Sequence, residues 1–109
     1  MYRSHPLTAA VKSKVAQVAI GKLNMIRTRF CYRTTQINGN VRFSRQLAGG
    51  ALMDIGCYCI NFLRHLAGEE SVTVTAAAHM HASGVDDMLI ATMRFANGIL
   101  ASFTCGICL

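Results

Sequence analysis

Hydrophobic positions along this chain change period, and the changes mark its elements. After Pro6, a residue suited to the first turn of a helix, Leu7, Val11, Val15 and Val18 recur at helical spacing, with Lys12, Lys14 and Gln17 largely off that stripe. Gly21 suits the position that closes a helix, so the pattern predicts an amphipathic helix over 6–20. The segment from Leu23 to Arg33 is strand-like. Ile26, Thr28, Phe30 and Tyr32 form one face, and Arg27, Arg29, Cys31 and Arg33 the other. Residues 34–50 are polar and contain glycine, which predicts a loop leading into a helix.

The segment from Ala51 to Ala67 carries the most information. Leu52, Ile55, Cys59, Phe62, Leu63 and Leu66 make an apolar face at helical spacing. Asp54, Tyr58, Asn61 and His65 make one narrow polar stripe opposite it. Gly56 falls on the apolar face, where it costs about 1 kcal/mol relative to alanine. A helix backbone closely approaching a sheet explains a glycine there. Gly68 closes the helix.

Beyond it the period becomes two. Val72, Val74, Ala76, Ala78 and Met80 share a face opposite Thr73, Thr75, Ala77, His79 and His81. Two further strands, 87–95 and 99–105, flank Asn97-Gly98, a strong hairpin signal. Helix, strand, helix and three consecutive strands predict an α+β fold: a mainly antiparallel open sheet with helices packed on one face.

Composition narrows the class. The 109 residues are 52% hydrophobic and allow one domain with a modest core, which excludes a disordered tail. No apolar run approaches the roughly 20 residues of a membrane span. The opening Met1–Pro6 lacks the apolar stretch of a secretory signal and reads as the middle of a longer protein. Five scattered cysteines with mostly apolar neighbours suggest reduced, buried thiols, hence a cytoplasmic setting. Cys105-Gly106-Ile107-Cys108 continues a strand instead of opening a helix and has no second ligand pair, so neither redox nor metal chemistry is expected of it. His79 and His81 lie within metal-ligand reach on one strand face, but nothing completes a site, so solvated or interfacial histidines are expected. Nine of the eleven basic residues precede Asp54, the first acidic one, within a net charge of +6. Such asymmetry marks a phosphate or nucleic-acid surface or half of an interface. Phe30 and Tyr32 stand on the strand face opposite the arginines, unlike a stacking platform beside a cationic track, so nucleic acid is not expected as a partner.

The run from Arg42 to Tyr58, Arg-Phe-Ser-Arg-Gln-Leu-Ala-Gly-Gly-Ala-Leu-Met-Asp-Ile-Gly-Cys-Tyr, resembles the segment that enters the active-site helix of the Gfo/Idh/MocA family of oxidoreductases. The variant is similar to the branch of glucose–fructose oxidoreductase and dimeric dihydrodiol dehydrogenase. Supporting likenesses are Tyr2-Arg3-Ser4-His5-Pro6, Gly21-Lys22-Leu23, Leu66-Ala67-Gly68-Glu69-Glu70 and Phe95-Ala96-Asn97-Gly98, so the resemblance spans nearly the whole chain. It departs from the family at Ala48, where many members have the first of three glycines, and at Tyr58, where many have histidine.

The resemblance implies a partial C-terminal domain over 1–109, with the nucleotide-binding Rossmann domain absent. It implies that Asp54 and Tyr58 flank the substrate carbon that exchanges hydride with NAD or NADP in a longer parent. Asn61, Arg3 and Tyr2 are then candidate substrate contacts, while His65 reads as a neighbour of the helix C-terminal dipole. Tyrosine can pass a hydroxyl proton in either direction, but a phenol with a pKa of about 10 needs a neighbouring cation to act as a base. The family supplies a lysine from a Glu-Lys-Pro motif in the nucleotide domain. That motif and a Gly-x-Gly-x-x-Gly turn are both missing here, so the chain alone should bind no nicotinamide cofactor tightly and show no turnover. The implied substrate is a sugar, polyol or diol. The alternative is a non-catalytic oligomerisation module, since the family's open sheet face commonly joins subunits into homo-oligomers. The strand ending at Leu109 is expected to present an uncovered edge.

Overall fold

Asn97 and Gly98 reverse the chain as their sequence predicts. The Phe95 amide donates to the Ile99 carbonyl at 3.0 Å, and the Asn97 side chain accepts from the Ile99 amide at 3.1 Å. This turn joins two strands of a four-stranded sheet seen in a computed structural model that describes residues 2–108, the side chain of Tyr2 excepted. The strands are β1 (Met25–Cys31), β2 (Ser71–Met80), β3 (Asp86–Phe95) and β4 (Leu100–Gly106), in the order β1-β4-β3-β2. Two pairings, β2 with β3 and β3 with β4, are antiparallel, whereas β1 runs parallel to β4. The architecture is the expected α+β one, a mainly antiparallel open sheet.

One expectation fails. The last strand is not an edge: β4 lies between β1 and β3, and the free edges are β1 and β2. Adjacency in sequence does not show that a distant strand returns to pair in parallel.

Strand alternation sorts the two faces. Leu89, Ala91, Met93 and Phe95 of β3 and Ala101, Phe103 and Cys105 of β4 are buried on one face, while Ile90, Thr92 and Arg94 stand exposed on the other. The β1 register puts Ile26 beside Ala101 and Phe30 beside Cys105, which assigns the predicted even-numbered face to the buried side.

That face is covered by α2 (Cys57–Ala67), which is entered through a wide π-helical turn, Leu52–Gly56. The sequence pattern predicts one continuous helix here, and the wide turn corrects it; such turns recur at functional sites. Ile55, Cys59 and Leu63 are buried against the sheet. Gly56 faces β4 as expected: a β-carbon there would lie 2.9 Å from the Cys105 sulfur and 3.0 Å from Leu52 Cδ1. The close approach explains why this helical position is glycine.

The first helix, α1 (Pro6–Ala16), is shorter than predicted. Gln17 caps it, and Val18 turns to φ 58°. Its apolar stripe is not buried either. Leu7 is 65% exposed, and the residue buried from this helix is Thr8.

Candidate active site

The loop before α2 is shaped by its own backbone bonds. The Asn40 side chain accepts from the Arg42 amide at 3.0 Å and caps a short 3₁₀ turn, Val41–Phe43. Phe43 is buried and meets the His81 ring edge-on at 4.9 Å between centroids, which pins the loop to the sheet end. The Gly50 amide then donates to the Arg42 carbonyl at 2.8 Å, bringing Arg42 back over the helix start. Gly50 sits at φ 119°, where a β-carbon would also run into the Asp86 carboxylate. That carboxylate accepts from the Leu52 amide at 2.7 Å and so caps the helix from β3. Ala48, the residue that departs from the glycine run, holds φ 54° and ψ 42°, a left-handed conformation that strains any residue with a β-carbon.

This framework delivers Asp54 to the end of β1. Its Oδ2 accepts from the Tyr32 hydroxyl at 2.5 Å and from Arg42 Nε at 2.9 Å. Burial and the adjoining carboxylate hold the Tyr32 phenol above its usual pKa of 10, partly offset by the Arg42 charge, so Tyr32 keeps its proton and donates it. The Asp54 carboxylate raises the Arg42 guanidinium further above its ordinary range, so Arg42 stays charged. Tyr58 is 39% exposed, with its ring 6.2 Å from Phe30, which in turn lies 6.4 Å from Tyr32. The structure therefore gathers Asp54 and Tyr58 around the Phe30–Tyr32 end of β1.

Asn61 and His65 continue the stripe along α2 to a second location. There Arg3, Lys12, Asn61, Arg64, His65 and Glu69 line a polar cavity of about 200 Å³. Arg3 and Asn61 thus come together, away from the Asp54 end; the side chain of Tyr2 lies outside the described residues. Sequence reasoning missed Tyr32 as a partner of Asp54. The available signal was its place at the end of the helix-side face of β1. It also gave no separate role to Arg42, whose signal was its position at the head of the glycine loop.

The remaining candidates sit elsewhere. His79 Nδ1 lies 2.6 Å from the buried Asp87 carboxylate, and His81 engages Ser83. Burial pushes the Cys105 thiol up to about 12, the opposite of what a redox thiol needs. Among the described residues no group of three or more His, Cys, Asp or Glu side chains is placed to hold a metal ion. No described helix is long and apolar enough to cross a membrane.

Known proteins resemble this chain in sequence and fold. The chain is 34% identical over 106 residues to trans-1,2-dihydrobenzene-1,2-diol dehydrogenase of Oryctolagus cuniculus, covering 96% of this chain and 32% of that protein. Its counterpart from Homo sapiens is 32% identical over the same length, with 31% of that protein covered. Among solved structures, aldose-aldose oxidoreductase from Caulobacter crescentus, complexed with glycerol, superposes with a TM-score of 0.85 at 30% identity, over 95% of this chain and 32% of that one. Levoglucosan dehydrogenase in complex with NADH and levoglucosan gives 0.81 at 30% identity, over 94% and 31%. The chain thus spans about a third of the length of the proteins it matches. The family model for the GFO/IDH/MocA C-terminal domain matches residues 8–109, and the chain belongs to that family.

Proposed function

We propose that this chain supplies the substrate-side residues of an NAD(P)-dependent oxidoreductase acting on a sugar, polyol or diol. The observation that carries the reading is the convergence of Tyr58 with an Asp54 carboxylate fixed by Tyr32 and Arg42, at the start of a helix that opens with a π turn. Tyr58 exchanges the proton of the reacting hydroxyl. Asp54, with one oxygen held by two donors, presents its other oxygen to the substrate. Arg3 and Asn61 contact the substrate further along α2, with Tyr2 as a further contact. Relatives whose names specify a diol, an aldose or levoglucosan support the substrate class.

We expect the cofactor to be held by residues outside this chain. A helix N-terminus is the usual phosphate cradle, and at the start of this one the Leu52 amide is engaged by the Asp86 carboxylate and the Gly50 amide by the Arg42 carbonyl. On this reading NAD or NADP is bound by a Rossmann domain joined to this chain. The test is to assay the chain alone and joined to such a domain from a relative, with either nicotinamide cofactor and a panel of sugars and diols. Turnover by the joined protein alone is expected. Turnover by the chain alone, or a joined protein that binds cofactor but oxidises nothing, contradicts the reading.

A second reading, oligomerisation through the open sheet face, rests on exposed Met25, Ile90 and Leu100, with Met25 and Leu100 paired in register. The two readings are compatible. Sedimentation equilibrium of Ile90→Lys and Leu100→Lys variants tests the second one, and unchanged association would remove it.

A further inference from the structure

The cavity at the far end of the α2 stripe combines two features that point to a ligand of definite charge. It is an open depression lined by two helices and the turn after the second, with Arg3 and Lys12 contributed from around α1 and Asn61, Arg64 and His65 from α2. Its fixed cations, Arg3, Lys12 and Arg64, also outnumber its two carboxylates, Glu69 and Glu70. Glu70 is engaged by Arg64, with Arg64 Nε to Oε2 at 2.7 Å, and Glu69 accepts from the Asn97 amide at 2.7 Å. No described carboxylate forms an ion pair with Arg3 or Lys12. Two carbonyls of the last α2 turn are bonded, that of Arg64 by the Gly68 amide and that of Ala67 by the Asn97 side chain, which lessens the opposing field of the helix C-terminus.

We propose that Arg3, Lys12 and His65, with Asn61, form an anion subsite that takes a phosphate or carboxylate carried by the substrate at the end remote from Tyr58. The placement of substrate rests on the function proposed above; the affinity for an anion does not. His65 follows Tyr58 by seven residues, two helical turns on the same face, which separates the reacting and anionic ends by about 10 Å along the axis. The imidazole reports on the subsite. Burial, Lys12 and Arg3 hold the His65 pKa below its usual value, although Glu69 and the Arg64-paired Glu70 line the same cavity. A bound anion cancels the repulsion from Lys12 and Arg3, so binding and protonation of His65 favour each other.

Sulfate is the first probe, because its charge does not change near neutral pH. Titrated into the 109-residue chain and followed by amide NMR, it should give saturable shifts at Arg3, Lys12, Asn61 and His65, tightening as pH falls through the imidazole range. Lys12→Ala and Arg3→Ala should each weaken binding roughly five- to tenfold, and Lys12→Arg should retain it. Shifts that are linear, equal at Arg27 and Arg29, or indifferent to Lys12→Ala would overturn the subsite. Glucose 6-phosphate and glucuronate then distinguish phosphate from carboxylate, with glucose as the neutral arm. A charged sugar that also moves Tyr58 places substrate along the stripe. Glucose binding equally well refutes the anionic class. A charged sugar that fills the subsite without moving Tyr58 refutes the placement of substrate, while the sulfate result stands.

Discussion

The two helices have the same length and similar apolar spacing, yet only one of them builds a core. In α2, Cys59 and Leu63 are buried against the sheet, and Gly56 lets the backbone come close to β4. In α1 the equivalent stripe faces outward, with Leu7 largely exposed and Val11 and Val15 half-buried. Apolar spacing therefore shows which side of a helix is available for packing, and the partner surface decides whether burial follows. The catalytic candidates are on or against the helix that found its partner. Rigid packing of that kind is what a site requires to hold a carboxylate in one orientation.

Substitutions can break this contrast in graded steps. Leu63→Ala, at a fully buried position, should cost about 2–5 kcal/mol in urea unfolding. A cost below 1 kcal/mol would mean that α2 is not docked as described. Gly56→Ala should cost about 1–3 kcal/mol despite alanine's better helix propensity, because Cys105 and Leu52 must move; a stabilised variant would place the helix further from β4. Ala48→Gly should stabilise the chain by about 1 kcal/mol by relieving a left-handed alanine, and a loss would contradict that backbone assignment. Leu7→Ser, in α1, should change stability by no more than about 0.5 kcal/mol, since its side chain is already in water.

The Asp54 network has its own signature in alkali. The Tyr32 pKa is raised in the folded state, so the folded chain holds that proton more firmly than the unfolded one. The associated stability is present below the unfolded phenol pKa of about 10 and is lost as pH rises through the folded value. Ultraviolet titration should find Tyr32 ionising late. Asp54→Asn should bring it back toward the ordinary value, and Tyr32→Phe should remove the late step.

What could be read from the sequence follows from how local each cause is. The polar stripe Asp54, Tyr58, Asn61 and His65, the sheet-facing Gly56, the faces of β1 and the Asn97-Gly98 turn depend on neighbours a few residues away, and all were legible. The parallel return of β1 onto β4 was not, because it joins segments about 75 residues apart. Tyr32 and Asp54 likewise meet only through that pairing and the helix docked on it. The early end of α1 at Ala16 escaped because Val18 disfavours the left-handed backbone it adopts, and nothing in its type announces it. The π turn also leaves the apolar spacing nearly unchanged, so periodicity cannot separate it from an α-helical turn.

The most direct test of the site is the turnover of Tyr58→Phe in this chain joined to a nucleotide-binding domain, measured with a substrate deuterated at the reacting carbon so that the chemical step is known to limit the rate. Loss of the Tyr58 hydroxyl should lower kcat by roughly 10²–10⁴, with cofactor affinity intact. An unchanged kcat with the isotope effect fully expressed would show that the proton passes through another group and that the start of α2 is not the catalytic end of the stripe.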